Sequence, residues 1–148
     1  MHPILQQIAD ALLRLKGVGA FDPLAVPPQV LPHLFILELH PDSAAGSHLR
    51  VRLTGTALDR AFERNLRGHD LEEFLHGPYS ADVLAGFHRC AAEHKPIWMR
   101  QIVSIRDKVP RFVEGVACFV APNLIYGGLV FGEIARSDAP AGFEMQLL

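Results

Sequence analysis

Apolar and polar positions change their period four times along the chain, and each change marks a different kind of element. Over residues 3–16, Ile4, Leu5, Ile8, Leu12 and Leu15 share one broad face, while Gln6, Gln7, Asp10 and Arg14 lie elsewhere. That is the spacing of an amphipathic helix, and Gly17 and Gly19 stop it. Residues 20–32 hold Pro23, Pro27, Pro28 and Pro32, which exclude a regular α-helix and predict an extended connector. From residue 33 to 40 the chain reads as a strand, with Phe35, Leu37 and Leu39 opposite Leu34, Ile36 and Glu38. A turn beginning at Pro41-Asp42-Ser43 leads to Leu49, Val51 and Leu53 alternating with Arg50, Arg52 and Thr54, completing a β-hairpin.

The helical period returns between Gly55 and His94. A short helix over 56–62 carries Leu58 and Phe62. Asp70-Leu71-Glu72-Glu73 has the acid-then-Glu spacing of a capping box and predicts a second short helix with Leu71, Phe74 and Leu75. Ser80 is placed to cap a longer helix to about residue 94, with Val83, Leu84, Phe87 and Ala91 on its apolar face. Strands follow. Ile97, Met99, Gln101, Val103 and Ile105 alternate with Trp98, Arg100, Ser104 and Arg106. Residues 111–121 and 124–134 form two more. The tail from Arg136 reads as loose, with Phe143, Met145, Leu147 and Leu148 able to dock. The predicted core is Phe35, Leu37, Leu53, Phe62, Phe74, Leu84 and Phe87.

Strands, then helices, then strands make an α+β domain with one antiparallel sheet. The length of 148 residues fits one domain and is enough to bury a core without a disulfide or metal. With 49% apolar and 20% charged residues the chain is neither disordered nor fibrous. A net charge of −2 supplies no field for nucleic acid or an anionic membrane. The uncharged run from Gly115 to Gly132 approaches spanning length, but Pro122-Asn123 in its middle fits two strands and a turn better than a membrane helix. The N-terminus carries Asp10 in its first turns and lacks the long apolar run of a signal peptide. Cys90 and Cys118 make no disulfide framework, and free thiols point to the cytoplasm.

Three stretches resemble a PAS domain, specifically the small single-domain bacterial PAS proteins. They are Leu31-Pro32-His33-Leu34-Phe35-Ile36-Leu37-Glu38, preceded by Phe21-Asp22-Pro23; Arg50-Val51-Arg52-Leu53-Thr54-Gly55-Thr56-Ala57-Leu58; and Phe62-Glu63-Arg64-Asn65-Leu66-Arg67-Gly68-His69-Asp70-Leu71. The resemblance covers residues 20–135. It implies a five-stranded sheet of order 2-1-5-4-3, short helices on one face, and a sensory or signalling module rather than an enzyme. The organisation expected is a helix over 1–19, a proline-rich connector over 20–33, the PAS-like domain over 34–135 and a tail over 136–148.

Candidate chemistry is sparse. The resemblance offers His88, on the long helix, as a haem ligand, but an axial ligand needs a deep apolar pocket too. Cys90 lies in His88-Arg89-Cys90-Ala91, without the asparagine-cysteine-arginine motif of flavin photosensors. Cys90 and His94 are spaced i,i+4, but no second ligand pair accompanies them, so no metal is expected. No cofactor is specified. Glu114 and Glu133 fall on neighbouring strands and read as surface ion-pair partners of Arg100, Arg106 or Arg111. The most informative feature is Gln101 in an apolar row, because a buried amide needs partners. Met99, Gln101, Val103, Val116, Cys118 and His88 are expected to line any pocket for a small apolar ligand.

The leading expectation is therefore a cytoplasmic PAS-type module that binds a small apolar ligand or a signalling partner protein. Alternatives are a cone-shaped enzyme of the ketosteroid-isomerase-like kind and a purely structural dimerisation domain. A homodimer is expected. The N-terminal stripe must be buried somewhere, and the outer sheet face, read as Trp98, Ile102 and Phe119, is a natural acceptor across a twofold axis.

Overall fold

A computed structural model describes residues 1–16, 21–42, 46–75, 79–103, 111–132 and 143–148. The chain is α+β. Helix α1 spans Pro3–Arg14, strands β1 and β2 span Leu34–Asp42 and Gly46–Thr54, and helices α2 and α3 span Thr56–Phe62 and Ser80–Glu93. Strands β3, β4, β5 and β6 follow at Ile97–Val103, Arg111–Ala121, Leu124–Gly132 and Glu144–Leu147. The connector is not simply extended. It winds into 3-10 helices at Pro23–Ala25 and Pro28–His33, because proline sets the φ angle such a turn needs without demanding α-helical hydrogen bonds. Leu71–Glu73 is likewise a 3-10 turn. Asp70 makes no capping bond there, since its carboxylate is engaged by Arg50.

The sheet is open, antiparallel and six-stranded, in the order β2-β1-β5-β4-β3-β6. Both the strand count and the order differ from the expected five because the tail forms β6. Residues 144–147 pair with β3 from Arg100↔Glu144 to Ile97↔Leu147, and Arg100 grips Glu144 through two nitrogens at 2.6 and 3.1 Å. Phe143, Met145 and Leu147 pack on the core beside α3. The β4–β5 hairpin turns through Pro122 and Asn123, the latter at φ 63°. Among the described residues, no helix is long and apolar enough to cross a membrane.

Each sheet face has its own core. On one, Phe35, Leu37, Leu49, Val51, Met99, Ala117 and Ile125 pack against Leu58 of α2 and Val83, Phe87 and Cys90 of α3. On the other, Leu34, Ile36, Val116, Cys118, Val120 and Tyr126 pack against Leu5, Ile8 and Leu12 of α1. Within the chain, helix α1 packs on this face of its own sheet. Ile8 lies over Gly128, where an added Cβ would sit 2.4 Å from its Cδ1. At Gly127 a Cβ would meet Phe35 Cζ at 2.3 Å on the opposite face. Two adjacent glycines thus let a side chain from each layer reach the main chain at the sheet's middle.

Of the predicted core, Phe35, Leu37 and Phe87 are buried, whereas Leu53, Phe62, Phe74 and Leu84 are half-buried. Leu53 also belongs to the other layer. The β1–β2 register slips at Ile36↔Leu53 and Leu37↔Val51, so Arg52 is an inserted residue and the alternation changes phase there. On α3, Gly86 and Cys90 are buried in preference to Leu84 and Ala91, which places the buried face about one residue position away from that predicted.

Candidate functional site

The residues expected to line one pocket separate onto two faces. Ile97, Met99 and Gln101 of β3 stand opposite Ala117, Gly115 and Val113 of β4, and Ile97, Met99 and Ala117 belong to the α3-side core. Val116 and Cys118 face α1. Met99 and Gln101 are thus separated from Val116 and Cys118 by the thickness of the sheet. The inward row of β4 is odd-numbered along this stretch, not even-numbered as read from the pattern. Phe119 accordingly leaves the outer face. It stacks on His94 at 3.9 Å, while Trp98 and Ile102 remain on the α1 side. His88 is half-buried on α3. The side chain of Val103, with Ser104, Ile105, Arg106 and Glu133, lies outside the described residues.

Apolar side chains pack between α3 and the sheet. Phe35 and Phe87 meet edge-to-face at 5.8 Å, and Cys90, Ile97, Met99, Ala117 and Ile125 are buried around them. The thiols are held protonated: burial pushes Cys90 up to about 11 and Cys118 up to about 12. The nearby Cys90 raises Cys118 further. Such groups are poor nucleophiles at neutral pH. Gln101 is buried, as the pattern indicated, and so is Glu114, each at 8% exposure. Glu114 is not a surface ion-pair acid. Its Oε2 accepts the Trp98 indole N–H at 2.8 Å and the His2 backbone N–H at 2.9 Å. That carboxylate ties the start of α1 to β3 and β4. His2 in turn caps the helix through Nδ1, which accepts the Ile4 N–H at 3.1 Å.

A cleft of about 210 Å³ opens elsewhere, between α2 and the ends of β4 and β5. Its walls are His33, Ala57, Arg60, Ala61, Arg111 and Phe131. Each lining group has a structural reason for its position. The 3-10 turn at Pro28–His33 delivers His33 to the start of β1, where its Nδ1 donates to the Leu129 carbonyl at 3.1 Å. That bond fixes the tautomer and leaves Nε2 as the acceptor of the neutral ring. Helix α2 begins at Gly55, whose N–H donates to the Leu34 carbonyl at 2.8 Å, and Ala57, Arg60 and Ala61 occupy one side of it. Phe131 is braced by Phe62 edge-to-face at 6.0 Å, and the Arg111 guanidinium lies 5.2 Å above the Phe131 ring. Neither Arg60 nor Arg111 has an ion-pair partner among the described residues.

This arrangement offers two positive charges and a neutral or protonated imidazole around an aromatic and alanine floor. It suits a small anion with a flat apolar body, because guanidinium binds carboxylate in two-pronged fashion and stacks on rings. Among the described residues its walls carry no thiol, hydroxyl or carboxylate, and the proton acceptor they offer is the His33 imidazole. The sequence pattern did not single out these residues. Arg60, Arg111 and Phe131 are far apart along the chain and converge only through the strand order. Compared with protein families, with curated proteins and with solved structures, the chain matches none.

Proposed function

We propose that this chain is a PAS-type sensory module that acts by binding, with a small organic anion as its input and a partner protein as its output. The observation that carries the reading is topological. A helical crossover joins β2 to β3 on one sheet face, and the strands run β2-β1-β5-β4-β3 before the added β6. Five of these strands keep the relative order that the resemblance to PAS domains implies, and β6 is added beyond them, which supports the reading. The residues expected to line an apolar pocket are divided between the two sheet faces, so this reading assigns the ligand to the cleft at Arg60, Arg111 and Phe131. Unpaired Cys90 and Cys118 agree with a reducing compartment, and the reading places the protein in the cytoplasm. The apolar stripe of α1 is covered by its own sheet within the chain, and this reading takes a partner protein as the route of output.

Native mass spectrometry of protein isolated without denaturation tests the ligand. The expected result is a bound small molecule in the wild type that is absent from the Arg60→Ala/Arg111→Ala double variant. Benzoate, as a probe, should shift NMR resonances around Phe131 and Ala61 in the wild type only. A bare wild-type mass together with no benzoate response would remove the anion reading.

A further inference from the structure

On the far side of the molecule from α1's N-terminal anchor, the outer edge of β2 meets the 3-10 turn at Leu71–Glu73. The joint is stiff. The Val51 N–H donates to the His69 carbonyl at 2.9 Å, and the Gly68 N–H donates to the Val51 carbonyl at 2.8 Å. Arg50 pairs across it with Asp70, Nε to Oδ1 at 3.3 Å. This joint brings together three side chains from separate parts of the sequence, His48 of β2, Asp70 and Glu72. Their potential ligand atoms all lie within 4.8 Å of one another, and each residue is half-buried.

Glu72 gives the cluster its direction. Its Oε1 accepts the Leu49 N–H at 3.5 Å, a long bond at the sheet edge. Its Oε2 is out of contact with solvent and has no hydrogen-bond donor among the described residues. A carboxylate oxygen removed from water without a partner is a costly arrangement. No donor from the described residues reaches it, while an imidazole and a second carboxylate are beside it. A cation shared by all three resolves the arrangement. One nitrogen and two oxygen ligands with two negative charges suit a divalent ion, and the imidazole favours a first-row transition ion over Mg²⁺ or Ca²⁺, which prefer all-oxygen shells.

We propose that His48, Asp70 and Glu72 form a binding site for one divalent first-row transition ion, pinning the 68–73 segment to the edge of β2. Arg50, on one oxygen of Asp70, orients that carboxylate in the way outer-shell partners orient metal ligands. His40 stands opposite His48 in the β1–β2 register and lies 3.4 Å from Glu38. An imidazole pair at His40 and His48 is therefore the competing arrangement for the same ion.

Isothermal titration of the full chain, freed of metal with chelator, decides between them with Zn²⁺ as the probe and Mg²⁺ as the comparison. The wild type should bind Zn²⁺ at one site per chain and Mg²⁺ far more weakly. His48→Gln and Glu72→Gln should each weaken Zn²⁺ binding by about tenfold or more. Far-UV circular dichroism checks that each variant is folded, and Asp70→Asn reads the same site should Glu72→Gln unfold. Failure of the wild type to bind Zn²⁺ overturns the proposal. So does Zn²⁺ binding of wild-type strength in Glu72→Gln and Asp70→Asn, which would assign the ion to the imidazoles alone.

Discussion

Truncating Ile8 measures how much of the fold rests on α1. The side chain is 0% exposed and lies against the main chain of β5 at Gly128. Ile8→Ala removes three carbons from a site whose floor is sheet backbone, which has little room to move inward. The cost of an Ile→Ala change at a buried site is about 2–5 kcal/mol, and a floor that cannot collapse places this one near 3–4 kcal/mol. Leu13, 51% exposed on the same helix, is the control, and its Ala variant should lose no more than about 0.5 kcal/mol. Urea unfolding followed by tryptophan emission is the natural assay. Trp98 is the single tryptophan, and it shares the Glu114 carboxylate with the backbone of His2 at the head of α1. Emission therefore reports the docking of α1 as well as global unfolding. A cost below about 1 kcal/mol would refute the docking described above, because full burial of an isoleucine cannot be so weak. A cost that grows on dilution would mean that the helix is exchanged between copies of the chain.

Gly128→Val forces a side chain into the space held by Ile8 and should cost about 1–3 kcal/mol by overpacking. Combining it with Ile8→Ala should restore part of that loss, so strictly additive costs in a double-mutant cycle would contradict the contact. Stability should also fall in alkali. Cys90 and Cys118 keep their protons in the folded state to about 11 and about 12, whereas an unfolded thiol ionises near pH 8.5. Their contribution is complete below about pH 8.5 and is lost as pH rises toward the folded-state values, because the unfolded chain binds fewer protons there. Urea midpoints measured from neutral pH to pH 10 should decline, and Cys118→Val should flatten part of the decline; an unchanged midpoint in the wild type would show that the thiols are not buried as described.

Alternation and helical spacing located α1, the hairpin of β1 and β2, α2, α3 and the Pro122-Asn123 turn, because each is encoded by contiguous residues. What they could not locate was phase. A strand buried on both faces carries no polar face to mark its orientation, and β4 from Val113 to Cys118 is buried at every position. The row Val116, Cys118 and Val120 is as apolar as its alternate, so the pattern had no means of choosing the side. The inserted Arg52 poses the same difficulty in β2. A bulge changes the facing of every later residue without altering the composition. Glu114 was misread for a different reason. Its partners are an indole and the backbone N–H of His2, and a backbone donor leaves no signature in residue types. The cleft and the His48, Asp70 and Glu72 cluster are likewise products of strand order, which no local window contains.

The pairing of β6 with β3 determines how this sheet can grow. A sheet lengthens sideways only where a strand leaves backbone N–H and carbonyl groups unshared, and long, flat, exposed edges invite pairing with other chains. Along β3, residues 97–100 share that ladder with β6. The outward edge at this end is β6 itself, Glu144–Leu147, with Glu144 and Gln146 exposed and Glu144 engaged by Arg100. At the opposite end, the segment around His69 occupies the backbone of Val51 in the middle of β2. An incoming strand would therefore find only a short run at one end and an interrupted one at the other. Shortening the chain to remove 143–148 would bare residues 97–100 of β3 and give a self-associating sheet, a liability for any truncated version made for study.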